Sequence, residues 1–313
     1  MNEILLKIVF VMLVTSPAEE KQANILISSI RDFGGIYADN PVYLFMSDTL
    51  GAPCRSIKSP NVKLISLDVN SELPDYPFLY KVLACAQAEE LLQGKSEIIV
   101  WMDVDGLVLS EPTEFYLGKN KKIAIRPVNL RNNVGLPADE PADLYWKKIY
   151  EYTKLRVNKI PVVETLVDKQ EVRMYLNCAI FSIRSDLGIF SEWKKLFLLL
   201  LNDPEYQSKS CTTINHKIFL HQAVLSAIVA KRIRENEIQW FSQKAGYPLH
   251  HHDEMDHDKK VYILNQLESL IYERLWDAPH WIMCTIRVDE PLRSRLRENY
   301  ERVTGKGLFL IAL

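Results

Sequence analysis

The apolar run Ile98-Ile99-Val100-Trp101-Met102 passes straight into Asp103-Val104-Asp105. Nothing polar alternates within the run, so both of its faces must be covered. That is the pattern of a buried strand in a layered α/β sheet. At its C-terminal end the chain leaves the sheet and meets solvent, and in open α/β sheets ligands bind at that edge. Two carboxylates one residue apart make a hard, anionic, oxygen-rich site there. Such a site suits Mg²⁺ or Mn²⁺, and a divalent ion suits a diphosphate. Alternate residues of a strand share a face, so the spacing predicts that Asp103 and Asp105 reach one ion or its waters.

The surrounding pattern extends the same sheet. Strands are predicted over 8–14, 41–46, 62–67, 98–102 and 123–127. Helices are predicted over 19–33, opened by Ser16-Pro17 and ended by Gly34-Gly35, and over 78–93, closed by Gly94. Strands that alternate with helices give a mostly parallel sheet flanked by helices. The second half is less regular. It carries predicted helices over 140–153, 190–202 and 219–232, and a strand over 174–183 that contains Asn177. The run from Leu196 to Leu201 reads as a buried helix face. At 313 residues, one α/β domain is expected, with a nucleotide-binding half over 1–130 and an irregular, acceptor-side half over 131–313.

Composition closes off several classes. A formal net charge of -2 excludes a dedicated nucleic-acid binder, which carries a basic excess. The five cysteines, Cys54, Cys85, Cys178, Cys211 and Cys284, form no Cys-x-x-Cys pair, which points to free thiols in a reducing, cytoplasmic setting. The apolar segment 4–14 is interrupted by Lys7, lacks a basic leader and is too short to span a bilayer. The segment 307–313 is also too short and reads as a docked terminal element.

Four readings compete for the acidic pair. The plainest is a solvated turn after a strand. The second is a haloacid-dehalogenase-type phosphatase, which Asp103-Val104-Asp105-Gly106 matches over four positions. About three strands precede the motif here, however, and no later acidic pair follows an apolar strand. The third is a phosphate-binding loop at Gly94-Lys95-Ser96. Glu89 stands where its first glycine belongs, and the loop ends a helix rather than opening one, which excludes it.

The fourth comes from resemblance. The chain resembles GT-A-fold nucleotide-sugar glycosyltransferases, most of all the glycogenin and galactosyltransferase-like branch, glycosyltransferase family eight. Asp103-Val104-Asp105 sits where that branch has its metal-binding Asp-x-Asp. Val14-Thr15 resembles its nucleotide-contacting first strand. Lys81 resembles a basic residue near the sugar or phosphates, and Leu176-Asn177-Cys178-Ala179 an Asn-Ala-Gly segment at the sugar. His221-Gln222 resembles an Asp-Gln pair, and Pro279-His280-Trp281 a late histidine that is the third metal ligand. Cys178-Ala179 replaces Ala-Gly, His221 replaces an acid, and no Lys-Pro-Trp follows His280.

The resemblance implies a GT-A-like fold and a metal-dependent hexosyltransferase, with a GT-A-like protein that binds nucleotide or partners without turnover as the non-enzymatic alternative. Its donor is a nucleoside-diphosphate sugar, a UDP-sugar first of all, and its acceptor is not specified. Mn²⁺ or Mg²⁺ is held by Asp103, Asp105 and His280. Thr15, Lys81 and Asp103 contact the nucleotide, and Asn177 and Gln222 the reacting sugar. A divalent ion there offsets the charge that builds on the leaving diphosphate.

Other residues are weighed on their own. Consecutive side chains of His250-His251-His252 diverge, so that run, with His257, reads as a solvated loop. Asp48 and Asp68 end strands and are candidates for base or ribose contacts. Asn177, polar in an apolar segment, needs partners. Arg287 is a candidate pyrophosphate contact, against a plain reading of the basic tail as a solvated helix face.

Overall fold

The computed structural model describes residues 6–47, 54, 56–70, 72–272 and 286–305. Its centre is a seven-stranded sheet. Four strands come from the first hundred residues: β1 (Leu6–Val14), β2 (Val42–Met46), β3 (Val62–Ser66) and β4 (Ser96–Met102). After the short β5 (Gly106–Val108) come β6 (Ile123–Ile125) and, past a small hairpin of β7 (Val162–Glu164) and β8 (Glu171–Arg173), β9 (Ile180–Arg184). With β10 (Ile238–Trp240) the order across the sheet is β10-β6-β9-β4-β1-β2-β3. Only β9 runs antiparallel to its neighbours, β4 and β6. The expected mostly parallel sheet is therefore present.

Side-chain alternation explains why the central strands are apolar throughout. On β1, Val9 and Val11 join the core on one face, while Ile8, Phe10, Met12 and Val14 join the core on the other. The first core receives α2 (Leu79–Leu92), α3 (Leu144–Thr153), α4 (Ile189–Leu201) and α7 (Leu220–Arg232); the second receives α1 (Pro17–Phe33). The short helices α5 (Pro204–Lys209) and α6 (Ile214–Ile218) lead into α7. A second sheet has β12 (Ser269–Ile271) at its centre, between β5 and β11 (Tyr247–Pro248), and α8 (Leu292–Thr304) packs against α1. Of the leucine-rich run in α4, Leu196, Phe197, Leu200 and Leu201 are buried and Leu199 is exposed, as a single buried helix face requires.

Three expectations need correction. The strand expected over 174–183 begins only at Ile180. The Asn177 side chain accepts from the Ala179 amide at 2.8 Å, the Asn177 amide donates to the Arg126 carbonyl at 3.0 Å, and Leu176 donates to the Ser226 hydroxyl at 2.8 Å. Side chains thus take two of the amides a ladder would use, those of Leu176 and Ala179, and an isolated bridge between Pro127 and Leu176 is what remains of the pairing. The helix expected over 140–153 begins at Leu144, because the Asp143 carboxylate caps it through the Trp146 amide. The acidic pair is not on the strand: β4 ends at Met102, and Asp103 to Asp105 form the turn that carries the chain from the large sheet into the small one. Asp48, Cys284, the Pro279-His280-Trp281 segment and 307–313 lie outside the described residues.

The residue before helix α4 is Gly188, which has no side chain to cap it. The buried Glu89 carboxylate of α2 does so instead, accepting from the Phe190 and Ser191 amides at 3.2 and 2.9 Å and from the Ser191 hydroxyl at 3.0 Å. Removing it leaves orphan donors at a buried helix end. Glu89→Ala should therefore lower unfolding free energy by about 2 kcal/mol, with Glu89→Gln closer to the parent, in urea titrations of both variants.

Candidate active site

The strand order fixes what meets at one sheet edge. The C-terminal ends of β6, β4, β1, β2 and β3 share that edge. The beginning of the antiparallel β9 joins them. Along the edge, Asn129 follows β6, Asn177 precedes β9, Asp103 and Asp105 follow β4, and Thr15 follows β1. All five line one open cleft of about 600 Å³. Lys81, His221 and Gln222 reach the same cleft from α2 and α7. Thr15, Lys81, Asp103, Asp105, Asn177 and Gln222, selected from sequence, are thus brought together. His280 lies outside the described residues.

At the floor sits an ion pair. The Lys81 ammonium donates to both Asp103 oxygens, at 2.7 and 2.8 Å, and the Trp101 indole donates to one of them at 2.7 Å. Lys81 is only 3% exposed, and Asp103 25%. The ammonium also lies 5.4 Å from the Trp101 ring centroid and 5.6 Å from that of Phe78. Asp103 is further fixed by its own amide, which donates to the Ala179 carbonyl at 2.8 Å, and by Gly106, whose amide donates to the Asp103 carbonyl at 3.0 Å. The Asp105 carbonyl accepts from the Tyr272 amide at 3.0 Å.

Burial sets the state of the other groups. His221 is 3% exposed, with its ring stacked on Phe78 at 4.2 Å between centroids. Its Nδ1 lies 2.8 Å from the Ile218 carbonyl, which only accepts, so Nδ1 carries the proton. Desolvation, and then the nearby Lys81 charge, hold this imidazole well below its ordinary range, and it is neutral. The Gln222 amide donates to the Tyr175 hydroxyl at 2.7 Å. Thr15 gives its amide and hydroxyl protons to Glu19 at 2.6 and 2.8 Å. Burial pushes the Cys178 thiol up to about 12, which makes it inert packing beside Asn177. The described cysteines, Cys54, Cys85, Cys178 and Cys211, are all free and buried.

Several other candidates fall elsewhere. Asp68 does not line the cleft, and its amide donates to the Gln87 side-chain oxygen at 3.1 Å. Arg287 pairs with Asp289 at 2.6 Å away from the cleft, and Arg293 and Arg295 pair with Glu290 and Glu298 on an exposed face, as a solvated tail does. Of the histidine run only His250 lines the cleft. His251 faces Glu254, and His252 bonds Tyr247. Among the described residues no three His, Cys, Asp or Glu side chains cluster as a metal site. Sequence reading missed Glu19, Phe78 and Asn129. Asn129 had a usable signal: it follows β6 as Asp103 follows β4.

Residues 10–232 match the Rhodobacterales glycosyltransferase domain family. The chain belongs to that family. A search of curated proteins returns no match. Among solved structures, the chain is similar to the bifunctional glycosyltransferase WbbM in its apo form, with a TM-score of 0.53 and 11% identity over 96% of this chain and 50% of WbbM. It is also similar to the glycosyltransferase GlyE of Streptococcus pneumoniae TIGR4, with a TM-score of 0.52 and 9% identity over 95% of this chain and 62% of GlyE. The chain thus spans only part of each. At these identities the likeness is one of fold, and it is the GT-A-like fold expected from sequence. Among the described residues no helix is long and apolar enough to cross a membrane.

Neutral His221 makes this glycosyltransferase domain acid-sensitive. The unfolded chain binds a proton at this residue below about pH 6.5, and the folded chain does not, so stability is full above that value and falls as pH drops. The slope from this residue should approach ~1.4 kcal/mol per pH unit. Unfolding titrations between pH 7 and 5 should show a flatter slope for His221→Asn than for the parent; equal slopes would place the imidazole in contact with bulk water.

Proposed function

We propose that the chain moves a hexose from a nucleoside-diphosphate sugar, a UDP-sugar first of all, to an acceptor, with a divalent ion at Asp103 and Asp105. The observation that carries this reading is the charge of the cleft. Among the described residues, its lining carries the carboxylates of Glu19, Asp75, Asp103 and Asp105 and one lysine, Lys81. A diphosphate is repelled by such a surface unless a cation accompanies it.

The donor atoms fit that cation. Asp103 spends three acceptor positions on Lys81 and Trp101, and a carboxylate has about four, so one remains. Asp105 supplies a second carboxylate in the same cleft. Two hard oxygen ligands leave most positions to phosphate oxygens and water, as is usual for Mg²⁺ and Mn²⁺. When bound, the ion offsets charge on the departing diphosphate. His280 is carried as a third ligand by resemblance alone.

The remaining roles follow from the chain's own groups. Lys81 holds Asp103 in one orientation and brings a positive charge within reach of the diphosphate. Asn177 keeps its amide nitrogen for a sugar hydroxyl, since its oxygen is committed to Ala179. Gln222 keeps its amide oxygen, since its nitrogen is committed to Tyr175. Thr15 and Glu19 lie on the nucleotide side, next to β1.

Calorimetry with uridine diphosphate and Mn²⁺ tests the reading. The parent should bind the nucleotide far more tightly with Mn²⁺ than without it, and Asp105→Asn should lose that difference while keeping its unfolding transition. Equal binding by parent and variant would misplace the ion. Turnover of a generic phosphate monoester, lost in Asp103→Asn, would instead favour a phospho-aspartyl enzyme.

A further inference from the structure

Phe78 is out of place by every folding criterion. It precedes α2 with φ +59°, a left-handed backbone that a bulky side chain adopts at a cost and that glycine or asparagine adopts freely. It makes no capping bond, and it is 43% exposed. Yet the ring lines the cleft, with one face held against the His221 imidazole at an interplanar angle of 17°. His221 is itself backed by Trp193, at 6.4 Å between centroids. The result is a backed aromatic surface that lines the cleft, with the Lys81 ammonium 5.6 Å from the Phe78 centroid.

Asn129 lines the same cleft. Its side-chain oxygen is out of solvent and has no hydrogen-bond partner among the described residues. Most buried side-chain oxygens are paired, and a small rotation of this amide at the cleft wall turns its oxygen toward a donor that arrives with a ligand. Asn129 and Phe78 are joined through one wall. The Val128 amide donates to the Tyr175 carbonyl, the Tyr175 hydroxyl accepts from Gln222, and Gln222 follows His221, on which Phe78 stacks.

The sheet order says which part of the reaction this wall serves. The chain leaves β6 just before Asn129, and β9 lies between β6 and β4. Two strand spacings, roughly 10 Å, therefore separate Asn129's strand from the strand of the carboxylates. Thr15 and β1 lie on the opposite side of β4. A nucleotide at the β1 side leaves the β9–β6 side to the other substrate.

We propose that Phe78 and Asn129 form the acceptor subsite and that the acceptor is a carbohydrate, its pyranose ring laid on the Phe78 face and one hydroxyl donated to the Asn129 side-chain oxygen. An aromatic face with a few fixed polar groups is the composition of a small-molecule site. A pyranose offers both an apolar C–H face and hydroxyl donors. A purely apolar acceptor would leave the Asn129 oxygen unpaired. The proposal rests on the reading of the chain as a nucleotide-sugar-dependent transferase.

Saturation-transfer NMR on the whole chain, with methyl gluco-, galacto- and mannopyranoside as probes and uridine diphosphate with Mn²⁺ present, tests it. At least one pyranoside should receive saturation, strongest at the C–H protons of one ring face. Phe78→Asn, whose new residue suits the left-handed backbone, and Asn129→Ala should each weaken that binding about ten-fold, the scale of one lost stacking or hydrogen-bond contact. Both should leave the affinity for uridine diphosphate unchanged. Pyranoside binding that ignores both substitutions, or no binding by any of the three probes, would overturn the proposal. So would Phe78→Asn weakening nucleotide and pyranoside alike, which would put the ring in the nucleotide subsite. Pyranoside binding that depends on both residues in a chain that fails to bind uridine diphosphate would uphold the subsite and remove the donor reading instead.

Discussion

The Lys81–Asp103 pair organises the site. A carboxylate at the end of a fully apolar strand is unstable there unless something compensates its charge. The Lys81 ammonium, almost completely buried, does so through both oxygens, and the Trp101 indole adds a third bond. Breaking such a pair leaves an uncompensated charge, so α2 and β4 are locked in one relative position by electrostatics as well as by packing. The lysine also lies near two aromatic rings, those of Trp101 and Phe78, which tie it to the cleft wall.

From that pair the rest of the cleft follows. Lys81 adds to the desolvation that keeps His221 neutral, and the neutral imidazole can stack on Phe78 without a charge to solvate. His221 and Gln222 are adjacent on α7, so fixing one sets the other against Tyr175. Tyr175 stands just before the irregular segment that carries Asn177. On the β1 side the cleft lining adds the Glu19 carboxylate to Asp103 and Asp105. The two sides thus differ in kind: aromatic and neutral toward β6, acidic toward β1.

The turn that holds the acidic pair has its own cause. β4 belongs to the large sheet and β5 to the small one, so the chain must change direction within three residues. Gly106 closes that turn, and a Cβ there would sit 3.2 Å from the Asp103 carbonyl and 3.4 Å from that of Leu270. The absence of a side chain lets β12 pair closely with β5 beneath the carboxylates.

Much of the fold was legible in the chain. The all-apolar central strands, Ser16-Pro17 at the start of α1 and Gly34 at its end were set by local rules of burial and capping, and they appear within a residue or two of expectation. The Asp103-Val104-Asp105 motif was legible as two carboxylates at the C-terminal edge of a buried strand, and both line the cleft at that edge. What sequence alone did not decide was every feature that depends on distant partners. The segment of Asn177 leaves the ladder because the Ser226 hydroxyl, from α7, takes the Leu176 amide. Glu89 caps a helix a hundred residues further on. Phe78 reads as the first turn of an ordinary helix until its backbone angle and exposure are seen. Asn129 reads as loop until its oxygen is found buried without a partner. Periodicity and capping are local properties of the chain; charge compensation and the pairing of buried polar groups are properties of residues that only the tertiary fold brings together.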